Sequence, residues 1–484
     1  MRRVVLRGVA WVGGTMLLVR VVRFAALLFL GGLLDPRDFG LFAALYVIVD
    51  GLVLLQGFGI GHAFLCRREK TDEAADTSFY LSAGIGLVTV AVAWALAPAV
   101  ADFYGEPTMV PLFRAASVVL ALHAFRLVPF RIVEKSLEFR KKLAPTLSGA
   151  VAYMVVGLLL AYRGAGAWAL VGGEVASLVV ETFGYWVATG WRPRLRFNRV
   201  VALEDLRFGW VVLGGSALIF AFRNIDRVVL SRFLGTDALG FYAFAYSLAN
   251  LPATFFVRTL NTVLFPSYAA LADEPRKQRE LFLRATSYMT GAGVLYALGL
   301  VAFGGRFLGA VYGDKWDMAV PALQILAFFA LLRALQALVG DLLVAIGRPV
   351  VFRGMNALQL AVAAAAIVPA ARLAGVPGVA LAMTLAHAVS LAFGWWRLRG
   401  ALSVAPRALA AVLRGPLIAA APAVLIVFPL VAWLPADAGP LVVVAAGLVV
   451  AVVFGGVWYA ADRGLRRDVA AMREGRKPTG EDLP

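Results

Sequence analysis

LLDPRDFGLFAALY occupies residues 33–46, and FLGTDALGFYAFAY occupies residues 233–246. Laid together at an offset of 200 without a gap, Leu34, Gly40, Ala43 and Tyr46 meet Leu234, Gly240, Ala243 and Tyr246. Phe39 meets Leu239, Leu41 meets Phe241, Phe42 meets Tyr242 and, upstream, Arg23 meets Arg223. The first copy carries Asp35 and Asp38 one helical turn apart, a pair that could hold a metal or act on a lipid-linked sugar. The second copy has Gly235 and Ala238 at those places. The shared features are a helix stop, a tight turn and a helix start, with Gly40 and Gly240 allowing close packing. The stretch therefore reads as a turn rather than a site. A second echo joins FYGEPTMVPLF at 103–113 to VYGDKWDMAVPAL at 311–323. Two echoes in order, at similar offsets, predict an internal duplication.

Composition gives the solvent. Of 484 residues 61% are hydrophobic and 15% charged, with a mean hydropathy of +0.83. Soluble domains carry about 25% charged residues, so the fold class is an all-α polytopic membrane protein. A spanning helix needs about 20 mostly apolar residues. The sequence predicts about fourteen, near 8–33, 40–61, 77–100, 110–130, 144–162, 166–189, 208–232, 239–265, 284–304, 318–345, 350–371, 376–396, 409–434 and 440–461. The fourth is interrupted by His123 and Arg126. Six spans per half is an even number, so the halves run the same way and form a parallel repeat. The expected domains are a six-helix lobe over 1–203, a second over 204–400, an extra helix pair over 401–462 and a cytoplasmic tail over 463–484.

Lys and Arg concentrate in alternate segments that include the N-terminus, and the other seven loops hold only 5 of the 46. The positive-inside rule then puts both termini in the cytoplasm. It also accounts for the net charge of +17 by contact with anionic headgroups, so no nucleic-acid partner is expected. The segment RIVEKSLEFRKKL at 131–143 fits a surface amphipathic helix, with Ile132, Leu137 and Phe139 toward lipid, or equally a helix end running into water. One cysteine, Cys66, excludes an internal disulfide or thiolate cluster, and three dispersed histidines (His62, His123, His387) argue against a metal site.

A charge at the bilayer centre costs about 2.5–3.5 kcal/mol on insertion scales, so charges inside spans need partners or water. Arg20 and Arg23 lie in the first helix, Asp50 in the second, and Glu174 and Glu181 in the sixth. Arg223, Asp226 and Arg227 share one face of the seventh. Arg258 lies in the eighth, and Arg333 and Asp341 in the tenth. Asp226 can pair with Arg223 or Arg227, and Glu174 and Glu181 can pair with neighbouring cations. Arg126 and Arg232 lie near span ends and are expected to snorkel. Basic groups outnumber acids in helices 1, 7 and 8, so Arg20, Arg23, Arg223, Arg227, Arg258 and Arg333 are candidates for an anionic, pyrophosphate-binding cavity. Guanidinium suits this role because its fork binds phosphate oxygens bidentately. Asp50, Glu174, Asp226 and Asp341 are candidates for binding a coupling proton or Na⁺.

LDPRDFGLFA at 34–43, EKSLEFRK at 134–141, GAGAWALV at 164–171, WRP at 191–193, NIDRVVLSRFLGTDALGFY at 224–242, FPSYAAL at 265–271, YGDKW at 312–316 and AVPALQIL at 319–326 together resemble a known family. It is the Wzx-type lipid-linked oligosaccharide flippases of the multidrug/oligosaccharidyl-lipid/polysaccharide exporter superfamily. The resemblance covers about residues 5–400. It implies two six-helix lobes, a cavity between helices 1, 2, 7 and 8, and alternating access. It also implies a substrate, an undecaprenyl-diphosphate-linked oligosaccharide crossing the bacterial inner membrane for exopolysaccharide or O-antigen biosynthesis. A polymerase and glycosyltransferases are implied partners, no cofactor is implied beyond H⁺ or Na⁺, and a monomer is expected. Related alternatives are a peptidoglycan-precursor flippase and a drug or cation exporter. A membrane glycosyltransferase, polymerase or ligase fits poorly, because such enzymes need catalytic groups in sizeable outer loops and this chain has only tight turns there.

Overall fold

A computed structural model describes residues 2–470 apart from 58–59, 68–70, 137, 139, 251–263, 403–405, 436–437, 463 and 468–469. Arg258, Leu137, Phe139 and nearly all of the tail lie outside the described residues. Every regular element among the described residues is helical. Eleven stretches are long and apolar enough to cross a bilayer. That count differs from fourteen at three long stretches, Ile219–Ala249, Pro275–Ala345 and Pro349–Gly400, each of which runs through an internal turn.

By contacts the chain divides into two compact units, Met1–Ala243 and Phe244–Pro484. The first unit begins with α1 (Arg2–Leu33), α2 (Pro36–Gly57), α3 (Ile60–Cys66) and α4 (Thr71–Tyr104). It continues with α5 (Met109–Ala116), α6 (Val118–Lys135), α7 (Arg140–Tyr162) and α8 (Ala167–Thr189). It ends within α9 (Arg199–Ala249), which is broken at Gly235 by a φ of 86° and whose residues from Phe244 belong to the second unit. α7 packs on α8 and α1, and α6 on α4 and α8.

α2 shows why LLDPRDFG stops one helix and starts the next. Pro36 takes the first helical position, where its missing N–H costs nothing. Asp38 then reaches back with Oδ2 to accept the Asp35 N–H at 3.0 Å, half of a capping box. The expected interruption at His123 and Arg126 is instead a break at Ser117, between α5 and α6. Ser117 Oγ donates to the Arg114 carbonyl at 2.7 Å, a back-bond that bends helices, and accepts from Trp94 Nε1 at 2.9 Å.

In the second unit α10 (Pro275–Tyr312) leads through a 3₁₀ turn (Gly313–Ala319) into α11 (Val320–Ala345). α12 (Pro349–Leu402) is broken at Gly375, and α13 (Pro406–Trp433) and α14 (Pro440–Ala461) follow. α13 and α14 pack on each other and on α10 around Phe303, Ala419, Ala423, Val450 and Phe454. Trp316 of the YGDKW turn is fully buried and stacks on Phe244 at 3.9 Å. Large side chains such as Leu425, Leu441 and Val452 stay exposed, as expected where the solvent is lipid.

The sequence echoes have backbone counterparts. Gly105 and Gly313, each in a Tyr-Gly-acid turn, both have positive φ, 69° and 63°. Gly166 and Gly375 both take φ 58°, with ψ of −134° and −135°. Gly40 and Gly240 pack against each other: a Cβ on Gly40 would land on the Thr236 carbonyl, and one on Gly240 on the Pro36 carbonyl.

Candidate site: a charged seam inside the first unit

Arg23 has a partner. Its Nη1 donates to Glu174 Oε2 at 2.9 Å and its Nη2 to Ser177 Oγ at 3.1 Å. The second contact to Glu174, Nη2 to Oε1, is 3.5 Å. The guanidinium also lies over the Tyr153 ring, 4.9 Å from its centroid. α1, α7 and α8 thus meet at one ion pair, which answers the cost of placing either charge among apolar helices.

A second pair lies one step along α8. Glu181 is ion-paired with Arg126 of α6, and Arg126 Nη2 lies 3.1 Å from His123 Nδ1. This corrects the expectation that Arg126 snorkels. Arg126 sits well inside α6, where an inward acid is nearer than the headgroups. Gly149 of α7 makes the room, since a Cβ there would strike Glu181 Cγ.

Asp226 is held inside α9. Its carboxylate is 1% exposed, accepts the Arg227 backbone N–H at 2.9 Å and accepts the Tyr242 hydroxyl at 2.7 Å. Both bonds lie within α9, on either side of its break at Gly235, so Asp226 ties the two segments together. Arg227 Nη1 is 3.5 Å from Asn224 Oδ1. Arg223 is exposed, and Arg20 and Arg227 are part-buried. Asp50 is exposed on α2, and the charges acting on it are Arg227, Glu174 and Arg223. α2 meets α9 closely there, because a Cβ on Gly51 would sit 3.1 Å from the Phe220 ring.

The first unit therefore brings Arg23, Asp50, Glu174, Arg223, Asp226 and Arg227 within electrostatic reach of one another on α1, α2, α8 and α9, with Arg20 one turn before Arg23 on α1. The seam thus carries four arginines and three carboxylates, Asp226 being bonded to Tyr242 and Glu174 to Arg23. Such a seam can take an anion. The second unit holds the other two candidates. Arg333 donates to Asn250 Oδ1 at 2.8 Å and to the Tyr246 hydroxyl at 3.4 Å. Asp341 Oδ2 is buried without a hydrogen-bond partner among the described residues, as is the Tyr268 hydroxyl. Burial and the neighbouring Asp341 push the Tyr268 phenol up. Among the described residues no group of three or more His, Cys, Asp or Glu could hold a metal.

Tyr46, Tyr153, Ser177 and Tyr242 belong to the seam and are absent from the sequence-derived candidates. Tyr46 has a buried hydroxyl with no partner among the described residues, within electrostatic reach of Glu174, Tyr153, Asp50 and Arg23. The repeat offered a signal: Tyr46 aligns with Tyr246, and each stands near a part-buried arginine of its own unit, Arg23 and Arg333.

A protein-family model described as "Polysaccharide biosynthesis protein" matches residues 29–321. The lipopolysaccharide biosynthesis protein WzxC of Escherichia coli is 27% identical over 81% of this chain and 80% of its own length. The teichuronic acid biosynthesis protein TuaB of Bacillus subtilis is 24% identical over 71% of this chain and 72% of its own length. In fold the chain is similar to an inward closed structure of the lipid II flippase MurJ, with a TM-score of 0.75 at 11% identity over 95% of this chain and 99% of that one. It is also similar to an inward-facing multidrug resistance MATE family transporter, with a TM-score of 0.62 at 16% identity over 80% of this chain and 96% of that one.

Proposed function

Because the chain belongs to the polysaccharide biosynthesis protein family, we propose that it is a flippase for an undecaprenyl-diphosphate-linked oligosaccharide. It carries this lipid from the cytoplasmic to the outer leaflet of a bacterial inner membrane, with both of its own termini in the cytoplasm. It is a secondary transporter and performs no bond chemistry on the sugar. Glycosyltransferases supply the substrate, a polymerase consumes it, and the flippase acts as a monomer.

The observation that carries this reading is the excess of guanidinium over carboxylate in the first unit's seam. A diphosphate presents several oxygens at fixed spacing, and forked guanidinium donors meet them two at a time. Arg223 makes the first contact, since it is exposed on α9, with Arg227 one turn further along the same helix. Arg23 is held in reserve by Glu174. When the diphosphate takes Arg23, Glu174 is released and must be neutralised, by a proton or Na⁺, because an unpaired buried carboxylate is costly. Glu174 is thus the coupling group this geometry favours, with Asp50 beside it. Arg333 and Asp341 serve the second unit in the same two roles.

The test is flipping in reconstituted vesicles, using a fluorescent polyprenyl-diphosphate oligosaccharide. An Arg23→Ala/Arg223→Ala variant that inserts normally should flip at least about 10-fold more slowly, the loss of about 1.4 kcal/mol of anion binding. An unchanged rate would refute the assignment. Offering lipid II in the same vesicles separates this reading from a peptidoglycan-precursor flippase.

A further inference from the structure

Between α8 and α9 the chain runs without helical structure from residue 190 to 198, and it is firmly mounted. The Trp191 ring packs beside Phe79 and Trp186, with centroids 5.6 and 5.8 Å away. Trp186 Nε1 in turn donates to the Phe125 carbonyl at 3.0 Å. The Arg194 N–H donates to Oδ1 of buried Asp76 at 3.0 Å. The Asn198 N–H donates to Thr77 Oγ1 at 3.1 Å, and its Nδ2 to Glu73 Oε1 at 3.0 Å. Asn198 Oδ1 also accepts the N–H groups of Val200 and Val201, capping α9.

Between the Trp191 and Asn198 anchors the sequence is Arg-Pro-Arg-Leu-Arg-Phe. The backbone bends at Leu195, where the Arg196 N–H donates to the Arg194 carbonyl at 2.7 Å. Along the sequence Arg192, Arg194 and Arg196 alternate with Pro193, Leu195 and Phe197. All three arginines are exposed, Leu195 is 95% exposed and Phe197 56% exposed. Arg199, Val200 and Leu203 extend the same mixture onto the first turns of α9, all exposed. Residues 190–203 contain no acid. A loop meant for water has no use for an uncovered Leu and Phe on a rigid mount, and an apolar docking face has no use for three arginines. Both belong together where a charged layer overlies hydrocarbon. The depth agrees, since the strap begins three residues after the end of the spanning helix α8 at Thr189 and its first anchor is a Trp cluster of the kind enriched at membrane interfaces.

We infer that residues 192–203 form a strap that docks on the anionic headgroup layer of the bilayer. Its guanidinium groups sit on lipid phosphates, and Leu195 and Phe197 enter the boundary below them. The partner is the lipid surface itself, bound at a place distinct from the seam that faces the substrate.

The experiment uses the full chain with Cys66→Ser and Leu195→Cys, labelled at that one thiol and placed in nanodiscs. The discs are zwitterionic, or contain about one third phosphatidylglycerol. Lipid carrying a nitroxide at the headgroup reports contact with the bilayer, and neutral acrylamide reports contact with water. Nitroxide quenching should be at least about two-fold stronger in the anionic discs. It should weaken at 1 M salt, where the Debye length falls to about 3 Å. An Arg192→Gln/Arg194→Gln/Arg196→Gln variant should drop to the zwitterionic level. Phe197→Cys, labelled separately, should repeat the pattern. Equal quenching in both lipids, unaffected by the glutamines, overturns the proposal. So does a label open to acrylamide in both discs and shielded only in native membranes, which would assign the strap to a protein partner instead.

Discussion

Glu174 decides what Arg23 can do. As a carboxylate it occupies the arginine's fork, and as a neutral acid it would leave that fork open to phosphate. Glu174→Gln keeps the shape and removes the charge, so pyrophosphate should bind about 10-fold more tightly to the purified variant by calorimetry. Transport by the same variant should lose its dependence on an imposed proton or Na⁺ gradient. Unaltered affinity together with unaltered gradient dependence would return Glu174 to a purely structural role. Tyr242 offers a stability counterpart. Tyr242→Phe strips the hydroxyl donor from Asp226 Oδ2 at a site 1% exposed. Leaving that oxygen unsatisfied should cost about 1–3 kcal/mol, read as a lowered melting temperature in detergent. The charged residues of the seam were legible in the sequence because an intramembrane charge has few innocent explanations. Tyr46, Tyr153 and Tyr242 were not, because in a chain this apolar an aromatic residue reads as packing until its hydroxyl is seen to have company. Arg126 was misplaced for a different reason. Its role depended on where α6 ends, and helix ends are what a run of apolar residues specifies least.

At the scale of elements, two small devices hold helices in register. One is the reciprocal glycine contact. Gly40→Ala must push α2 away from the Thr236 carbonyl, and Gly240→Ala must push α9 from the Pro36 carbonyl. Each should destabilise by about 1–3 kcal/mol, as overpacking does. The double variant should cost less than the sum of the singles, because both open the same gap. Strict additivity in thermal melts would mean the two glycines do not share one contact. The other device is Asp205. Its buried carboxylate accepts from Ser78 Oγ at 2.7 Å and Arg67 Nη2 at 3.1 Å, and burial pushes its pKa up despite those donors. A carboxylate raised on folding binds protons more readily in the folded state. Its contribution is complete below the usual value of about 4 and is lost as pH rises through the folded pKa. The melting temperature of the parent minus that of Asp205→Asn should therefore fall as pH rises across that window. A difference that grows with pH would mean that the Arg67 pairing outweighs burial. The glycine contact was foreshadowed by the repeat, which singled out Gly40 and Gly240 as the constant positions of a variable turn. The Asp205 site was not, since Arg67, Ser78 and Asp205 are remote in sequence and share no motif.

Over the whole molecule, the duplication accounts for more of the chain than any single residue does. Equivalent turns in the two copies carry the same backbone choices at Gly105 and Gly313 and at Gly166 and Gly375. The first pair of turns does more than match. Glu106, from the Tyr-Gly-acid turn, bonds at once to Arg37 at 2.8 Å and to Thr236 Oγ1 at 3.0 Å. Arg37 belongs to one copy of the LLDPRDFG element and Thr236 to the other, so a single carboxylate clasps both copies beside the glycine contact. If translocation proceeds by alternating access, as the family resemblance implies, the ends of α2 and α9 must part on this side once in each cycle. The clasp is affordable because it is partly exposed, and such pairs contribute about 1 kcal/mol or less. In a Cys66→Ser background, Glu106→Cys and Thr236→Cys should react together with a short bis-thiosulfonate. The linked protein should lose nearly all flipping in vesicles and recover it on reduction. Each single cysteine, treated identically, should keep the activity it had before treatment. A linked protein that flips at the unlinked rate would show that these two helix ends stay together throughout the cycle, and the opening toward the outer leaflet would then have to lie elsewhere in the molecule.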